Sequence, residues 1–164
     1  MIRKAYQDES LPMQLLLLAD PSEKQIHSYV SSGHCYLAVY EGVCRGVYVL
    51  QEKTPQTIEL MNVAVAESWQ GKGLGKQLIL HAIETSRELG YARLGVATGN
   101  SSIGQLALYQ KCGFRIVGIE RDYFTIHYPQ PIFENGIQCR DQLKLALELK
   151  GTERSGTSRL CFMQ

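Results

Sequence analysis

Apolar and polar residues are spaced differently along successive parts of the chain, and each spacing predicts an element. The stretch "HCYLAVYEGVCRGVYVLQE" reads as two β runs joined by a tight turn at Glu41 and Gly42. The run "TIELMNVAVAE" follows, and its nearly continuous apolar core predicts a strand buried on both faces. Alternation along it sets Glu59, Met61, Val63 and Val65 on one face. Then the period lengthens. Leu74, Leu78, Ile79, Ala82, Ile83 and Leu89 recur at helical spacing, with Lys76, Gln77, His81, Glu84, Arg87 and Glu88 between them. That pattern predicts an amphipathic helix ended at Gly90.

The flanking segments are shorter. Residues 2–5 read as an edge strand, and "SLPMQLLLLA" and "SEKQIHSYVSS" as two short helices, the second capped by Ser22. "ARLGVAT" is a strand. Ser102 with Gln105 has the spacing of a capping box before the helix "IGQLALYQKC", which Gly113 stops. "FRIVGIERDYF" returns as a strand. "QCRDQLKLALEL" is ambiguous, and the partial alternation of residues 142–147 favours strand. The order β-α-α-β-β-β-α-β-α-β-β predicts an α/β fold, a mixed sheet with helices on both faces. Residues 1–149 form one domain in this reading. Residues 150–164, "GTERSGTSRLCFMQ" after Lys150, have no clear period and are expected to be a C-terminal tail.

Composition narrows the function. The chain has 164 residues, 45% apolar and 20% charged, which suits one soluble domain. A net charge of +1 gives no reason to expect nucleic acid or an anionic membrane as partner. The apolar run at 15–19 is too short to span a bilayer, and it lies behind Asp8 and Glu9, which is wrong for a secretion signal. The five cysteines are odd in number, widely spaced and free of any Cys-x-x-Cys pair, as expected of reduced thiols in a cytoplasmic protein. The four histidines show no metal-ligand spacing, so no metal is expected.

The chemistry concentrates in "ESWQGKGLGK", residues 67–76. A helix N-terminus presents unpaired N–H groups and the positive end of the helix dipole. Gly71, Gly73 and Gly75 remove the side chains that would keep a phosphate away, and Lys72 and Lys76 add positive charge. An ordinary tight connection would need fewer glycines. A Walker loop fails, because position 70 is Gln and position 77 is not Ser or Thr. A Rossmann loop fails too, because the spacing is Gly-x-Gly-x-Gly and no acidic residue ends "ARLGVATGN".

Gln70-x-x-Gly73-x-Gly75 after the strand "NVAV" resembles the acetyl-CoA pyrophosphate loop of the GNAT superfamily of N-acetyltransferases. "LYQKCGF", residues 108–114, is similar to a second stretch of that superfamily. The likeness is motif-specific over 59–114 and follows element order over about 1–149. It implies a mostly antiparallel sheet in which two parallel strands, "ELMNVAV" and "ARLGVAT", splay apart. It implies acetyl-CoA as acetyl donor and CoA as product, held by residues 70–76 (Leu74 among them) and by the backbone of Val63, Ala64 and Val65.

The resemblance also implies roles. Glu59 is the candidate base, with a solvated or ion-paired strand carboxylate as its plain alternative. The Val63 N–H is the candidate oxyanion donor. Tyr109 is the candidate acid towards the cofactor sulfur, or else a packing residue. Relatives carry Asn seven residues before this tyrosine, where this chain has Ser102; Ser102 reads mainly as a cap, leaving Asn100 to contact the cofactor. Cys112 reads as a buried small hydrophobe rather than a nucleophile. Trp69 reads as a cover over the sheet edge.

The activity so implied is direct acetyl transfer to a primary amine of a small molecule or protein. A non-catalytic acyl-CoA sensor and a regulatory module holding another phosphate compete with it. The acceptor groove is expected at 18–33 and 125–138, which hold Asp20, Glu23, His27, Tyr29, His127, Tyr128 and Glu134. No dense acidic cluster is visible there, and a homodimer is left open.

Overall fold

The structure is a computed structural model and describes residues 1–149. The expected tail, with Cys161, lies outside them. Strands β1 (Ile2–Lys4), β2 (His34–Tyr40), β3 (Val43–Thr54), β4 (Thr57–Val65), β5 (Arg93–Gly99), β6 (Arg115–Glu120) and β9 (Gln142–Glu148) form one sheet in the order β1-β2-β3-β4-β5-β9-β6. Among the described residues only β4 and β5 pair in parallel. Helices α1 (Met13–Ala19) and α2 (Glu23–Val30) pack on one face; α3 (Leu74–Glu88) and α4 (Ile103–Lys111) pack on the other. This is the mixed, mostly antiparallel fold that the element order and the motifs predict.

Local chemistry explains most boundaries. Ser22 Oγ accepts the Gln25 N–H at 3.2 Å and starts α2 as a cap should. Glu41 and Gly42 both have positive φ, 53° and 76°, the geometry of a two-residue hairpin turn. In α3 the predicted apolar stripe is buried from Leu74 to Ile83, with Leu78, Ile79 and Ala82 inaccessible or nearly so, while Leu89, just past the helix end, is exposed. Full burial of a side chain such as Leu78 contributes about 2 kcal/mol.

Three features depart from the sequence reading. The strand expected over "FRIVGIERDYF" stops at Glu120; Asp122 turns the chain with φ 62°, and a short helix α5 (Tyr123–His127) follows. A small hairpin, β7 (Ile132–Glu134) with β8 (Ile137–Cys139), then precedes β9. Its turn, Asn135-Gly136, has φ of 54° and 72°.

The third departure is in β4. Opposite β3 the register runs Val49↔Asn62 and then Leu50↔Leu60, so Met61 is an extra residue in a bulge. One extra residue reverses the facing of everything before it. Ile58 and Leu60 join Val63 in the core under α3, and Val65 packs against that same core; Met61 and Ala64 belong to the α1–α2 side. Glu59, between Ile58 and Leu60, therefore faces the α1–α2 side. The expectation that it shares a face with Val63 is corrected by this bulge.

Candidate active site

The parallel pairing of β4 with β5 runs from Thr57↔Arg93 to Leu60↔Val96 and ends there. Residues 97–99 of β5 continue against β9, while residues 62–65 of β4 keep only β3 as a partner among the described residues. The bulge at Met61 lies where the two strands part. Past that point one edge of β4 offers backbone N–H and C=O groups to an open cleft.

The glycine loop closes one end of this cleft. Gly71 and Gly73 adopt φ of 76° and 87°, which a side chain would strain. Gly73 stands just before the first turn of α3, whose N–H groups have no helical acceptors. Gln70 Nε2 donates to the Val65 carbonyl at 3.1 Å and ties the loop to the end of β4. The resulting cleft has a volume of about 470 Å³, and its wall includes Val63, Val65, Gly73, Gly75, Lys76 and Gly104. It is long, bare at the helix end and positively charged through Lys76. Lys72 instead rests over the Trp69 ring at 5.5 Å, and Trp69 stacks on Tyr40 at 4.9 Å. Leu74 is buried in the core, so only its backbone faces an anion.

A second cavity, about 690 Å³, adjoins the first; Val63 and Gln105 stand in the walls of both. Glu59 and Tyr109 open onto it. Lys53 Nζ lies 3.5 Å from Glu59 Oε2. Tyr109 is 5% exposed and meets the Phe114 ring edge-on at 5.7 Å. Burial pushes its phenol well above the ordinary value, so the hydroxyl keeps its proton at neutral pH. The arrangement is a narrow cleft, bare and basic at its helix end, beside a separate and larger chamber.

The family model described as the acetyltransferase (GNAT) family matches residues 2–114. The chain belongs to that family. It is an acyltransferase of the N-acetyltransferase class, and acetyl-CoA is the donor such enzymes use. The chain is 56% identical to the Bacillus subtilis N-acetyltransferase YvbK over 135 residues, covering 82% of this chain and 87% of the relative. A GNAT acetyltransferase from Elizabethkingia anophelis, solved with acetyl-CoA bound, is 46% identical with a TM-score of 0.89, over 91% of this chain and 97% of that one. A Bacillus subtilis acetyltransferase solved in complex with CoA is 51% identical with a TM-score of 0.86, over 90% and 97%.

Two residues of this GNAT enzyme have tasks other than those expected. Ser102 makes no side-chain cap bond; its hydroxyl donates to Glu134 Oε1 at 2.9 Å. Asn100 is spent on the loop before β9. Its Oδ1 accepts the N–H groups of Arg140 and Asp141 at 2.8 and 3.0 Å, and its Nδ2 donates to the Gln138 carbonyl at 3.1 Å. It anchors that loop rather than reaching the cofactor cleft. Burial raises the Cys112 thiol above its ordinary value, which suits a packed side chain and not a nucleophile.

Of the expected groove residues, Asp20, Tyr29, Tyr128 and Glu134 line the larger chamber. Glu23 and His27 form an exposed pair at 3.5 Å, and His127 packs on Tyr123. Lys53, Asn62, Glu120, Tyr123, Phe124 and Lys144 also line the chamber and were missed. No local signal marks most of them. The unread Asn135-Gly136 turn would have shown that the chain folds back over this chamber.

Proposed function

We propose that the protein transfers the acetyl group of acetyl-CoA to a primary amine by direct attack in a ternary complex. The observation that carries this reading is the contact of the two cavities at Val63: one fits the pantetheine arm, the other an acceptor, and the free β4 edge lies between them.

In this reading residues 70–76 hold the pyrophosphate, through the bare N-terminus of α3 and Lys76. The backbone of Val63, Ala64 and Val65 pairs with the arm. An alkyl ammonium with a pKa of about 10.4 must lose a proton before it can attack. Glu59, directly or through water, takes it. The amine nitrogen bonds to the thioester carbonyl carbon, and the Val63 N–H stabilises the oxygen that gains charge. The C–S bond then breaks, and Tyr109 donates its proton to the departing thiolate. The nitrogen, now bonded to carbon, gives up a second proton, which restores Tyr109; the products are the acetamide, CoA with its thiol restored, and the first proton, released from Glu59 to solvent.

Initial rates measured against both substrates test the scheme. Intersecting double-reciprocal lines, with acetylated amine found by mass spectrometry, are the expected result. Parallel lines would indicate an acetyl-enzyme instead. Binding of acetyl-CoA without any acetylated amine would point to a sensor domain.

A further inference from the structure

The acceptor chamber carries more negative than positive charge. Its walls hold four carboxylates, Asp20, Glu59, Glu120 and Glu134, and two lysines, Lys53 and Lys144. Each lysine is matched to one carboxylate: Lys53 lies 3.5 Å from Glu59, and Lys144 lies 3.2 Å from Glu120. Asp20 and Glu134 have no cationic partner among the described residues and are held by neutral donors. Asp20 accepts from the Tyr29 and Tyr128 hydroxyls at 3.1 and 3.0 Å and from the Ser22 N–H at 3.0 Å. Glu134 accepts from the Ser102 and Ser101 hydroxyls. Such cradles keep a carboxylate in place without neutralising it.

The negative groups converge. The Tyr123 phenol is raised first by burial and then by the fields of Asp20, Glu120 and Glu59, opposed by a hydrogen bond with Gln142. Aromatic rings of Tyr29, Tyr123, Phe124 and Tyr128 line the same space, and ring faces attract cations.

An independent observation comes from Asn62, which is 4% exposed and stands in the chamber wall. Its Nδ2 donates to the Leu16 carbonyl at 3.0 Å and to the Tyr29 hydroxyl at 2.9 Å. Its Oδ1 has no partner among the described residues. A buried amide oxygen left without a donor is costly, so the wall beside Tyr29 and Asp20 is polar at a position where packing alone would favour an apolar side chain.

We infer that the acceptor is a primary amine bearing a second protonated nitrogen, an alkyl diamine or its like. This rests on the proposed amine acetylation. One nitrogen reacts beside Glu59. The other stays charged and is held by the uncompensated carboxylates, Asp20 foremost, between tyrosine rings. The two excess carboxylates match the two charges of such an acceptor on arrival, whereas a carboxylate on the acceptor would meet them unfavourably.

The full-length protein with acetyl-CoA is assayed on an α,ω-alkyl diamine, the monoamine of equal length and the ω-amino acid of equal length. The diamine is expected to exceed the monoamine in kcat/KM by about tenfold, the size of one added partly screened ion pair. That ratio should fall at high salt. Asp20→Asn and Glu134→Gln should each lower the ratio; either keeps an oxygen for the neighbouring hydroxyls, so if one variant fails to fold the other still reports. Equal rates for the two amines, or preference for the amino acid, overturn this inference and leave amine acetylation standing. If none of the three is acetylated while a cell extract with acetyl-CoA yields an acetylated amine by mass spectrometry, this inference alone is overturned; if the extract yields none, the proposed transfer to an amine falls with it.

Discussion

The side chains of Glu59 and Val63 leave β4 on opposite faces of the sheet, because Met61 adds one residue to the strand between them. In the proposed mechanism the base is a side chain on one face and the oxyanion donor a backbone group, so the two need not share a face. Glu59 reaches the larger chamber on the α1–α2 side, and Val63 would need only its N–H at the strand edge.

That division makes Glu59→Gln informative. The amide keeps the shape and loses the base, so cofactor affinity should hold while turnover near neutral pH falls on the order of 10²-fold. Activity should return in part at higher pH, as free amine appears without help. A pH–rate profile of both proteins on one amine checks this, and superimposable profiles would remove Glu59 from the mechanism.

Tyr109→Phe should leave acetyl-CoA affinity unchanged and slow turnover by about 10²-fold or less. The ring would keep its edge contact with Phe114, and only the proton donor would go. Turnover equal to the parent's would make Tyr109 a packing residue.

Gly75 offers a cleaner probe of the anion site than Gly73, whose positive φ would strain any replacement. A Cβ at Gly75 would meet only Val65 Cγ2 at 3.8 Å and Leu108 Cδ2 at 3.9 Å, ordinary contacts. Gly75→Asp places a carboxylate in the first helical turn, where the dipole favours it, so the fold should survive. CoA affinity should drop on the order of tenfold or more, through repulsion of the pyrophosphate. Calorimetry on the folded variant decides; unchanged affinity would move the anion elsewhere.

Asn100→Ala separates loop anchoring from cofactor contact. It strips partners from the N–H groups of Arg140 and Asp141 and from the Gln138 carbonyl. Urea unfolding should show a loss on the order of 2 kcal/mol. CoA affinity of the folded protein should be unaltered.

His81 predicts a pH dependence of stability. Its Nδ1 lies 2.7 Å from the Tyr48 hydroxyl and 3.3 Å from Thr85 Oγ1. Burial lowers its pKa below the ordinary 6.5, opposed by the charge of Glu88. The folded state thus resists protonation of this ring. Its contribution is complete above the unfolded value and is lost as pH falls through the lower folded value. Denaturation midpoints of parent and His81→Gln should converge as the pH drops below 6.5; a constant gap would contradict this.

The sequence by itself determined the kinds of most elements and singled out the glycine loop, though not α5 or the β7–β8 hairpin. Those rest on local physics: the period of α3, the Ser22 cap, the Glu41-Gly42 turn, and glycines where the backbone of residues 71 and 73 turns left-handed. Each signal spans a few residues. β9 could be read as a strand, but its insertion between β5 and β6 could not, because pairing partners lie dozens of residues apart. The tertiary structure alone decided which way Glu59 faces, since a bulge exists only relative to the strand opposite. It alone turned Asn100 to the loop before β9. It alone gathered Asp20, Glu59, Glu120 and Glu134, scattered along the chain and unremarkable there, around one chamber, because charge density is a property of space and not of sequence separation.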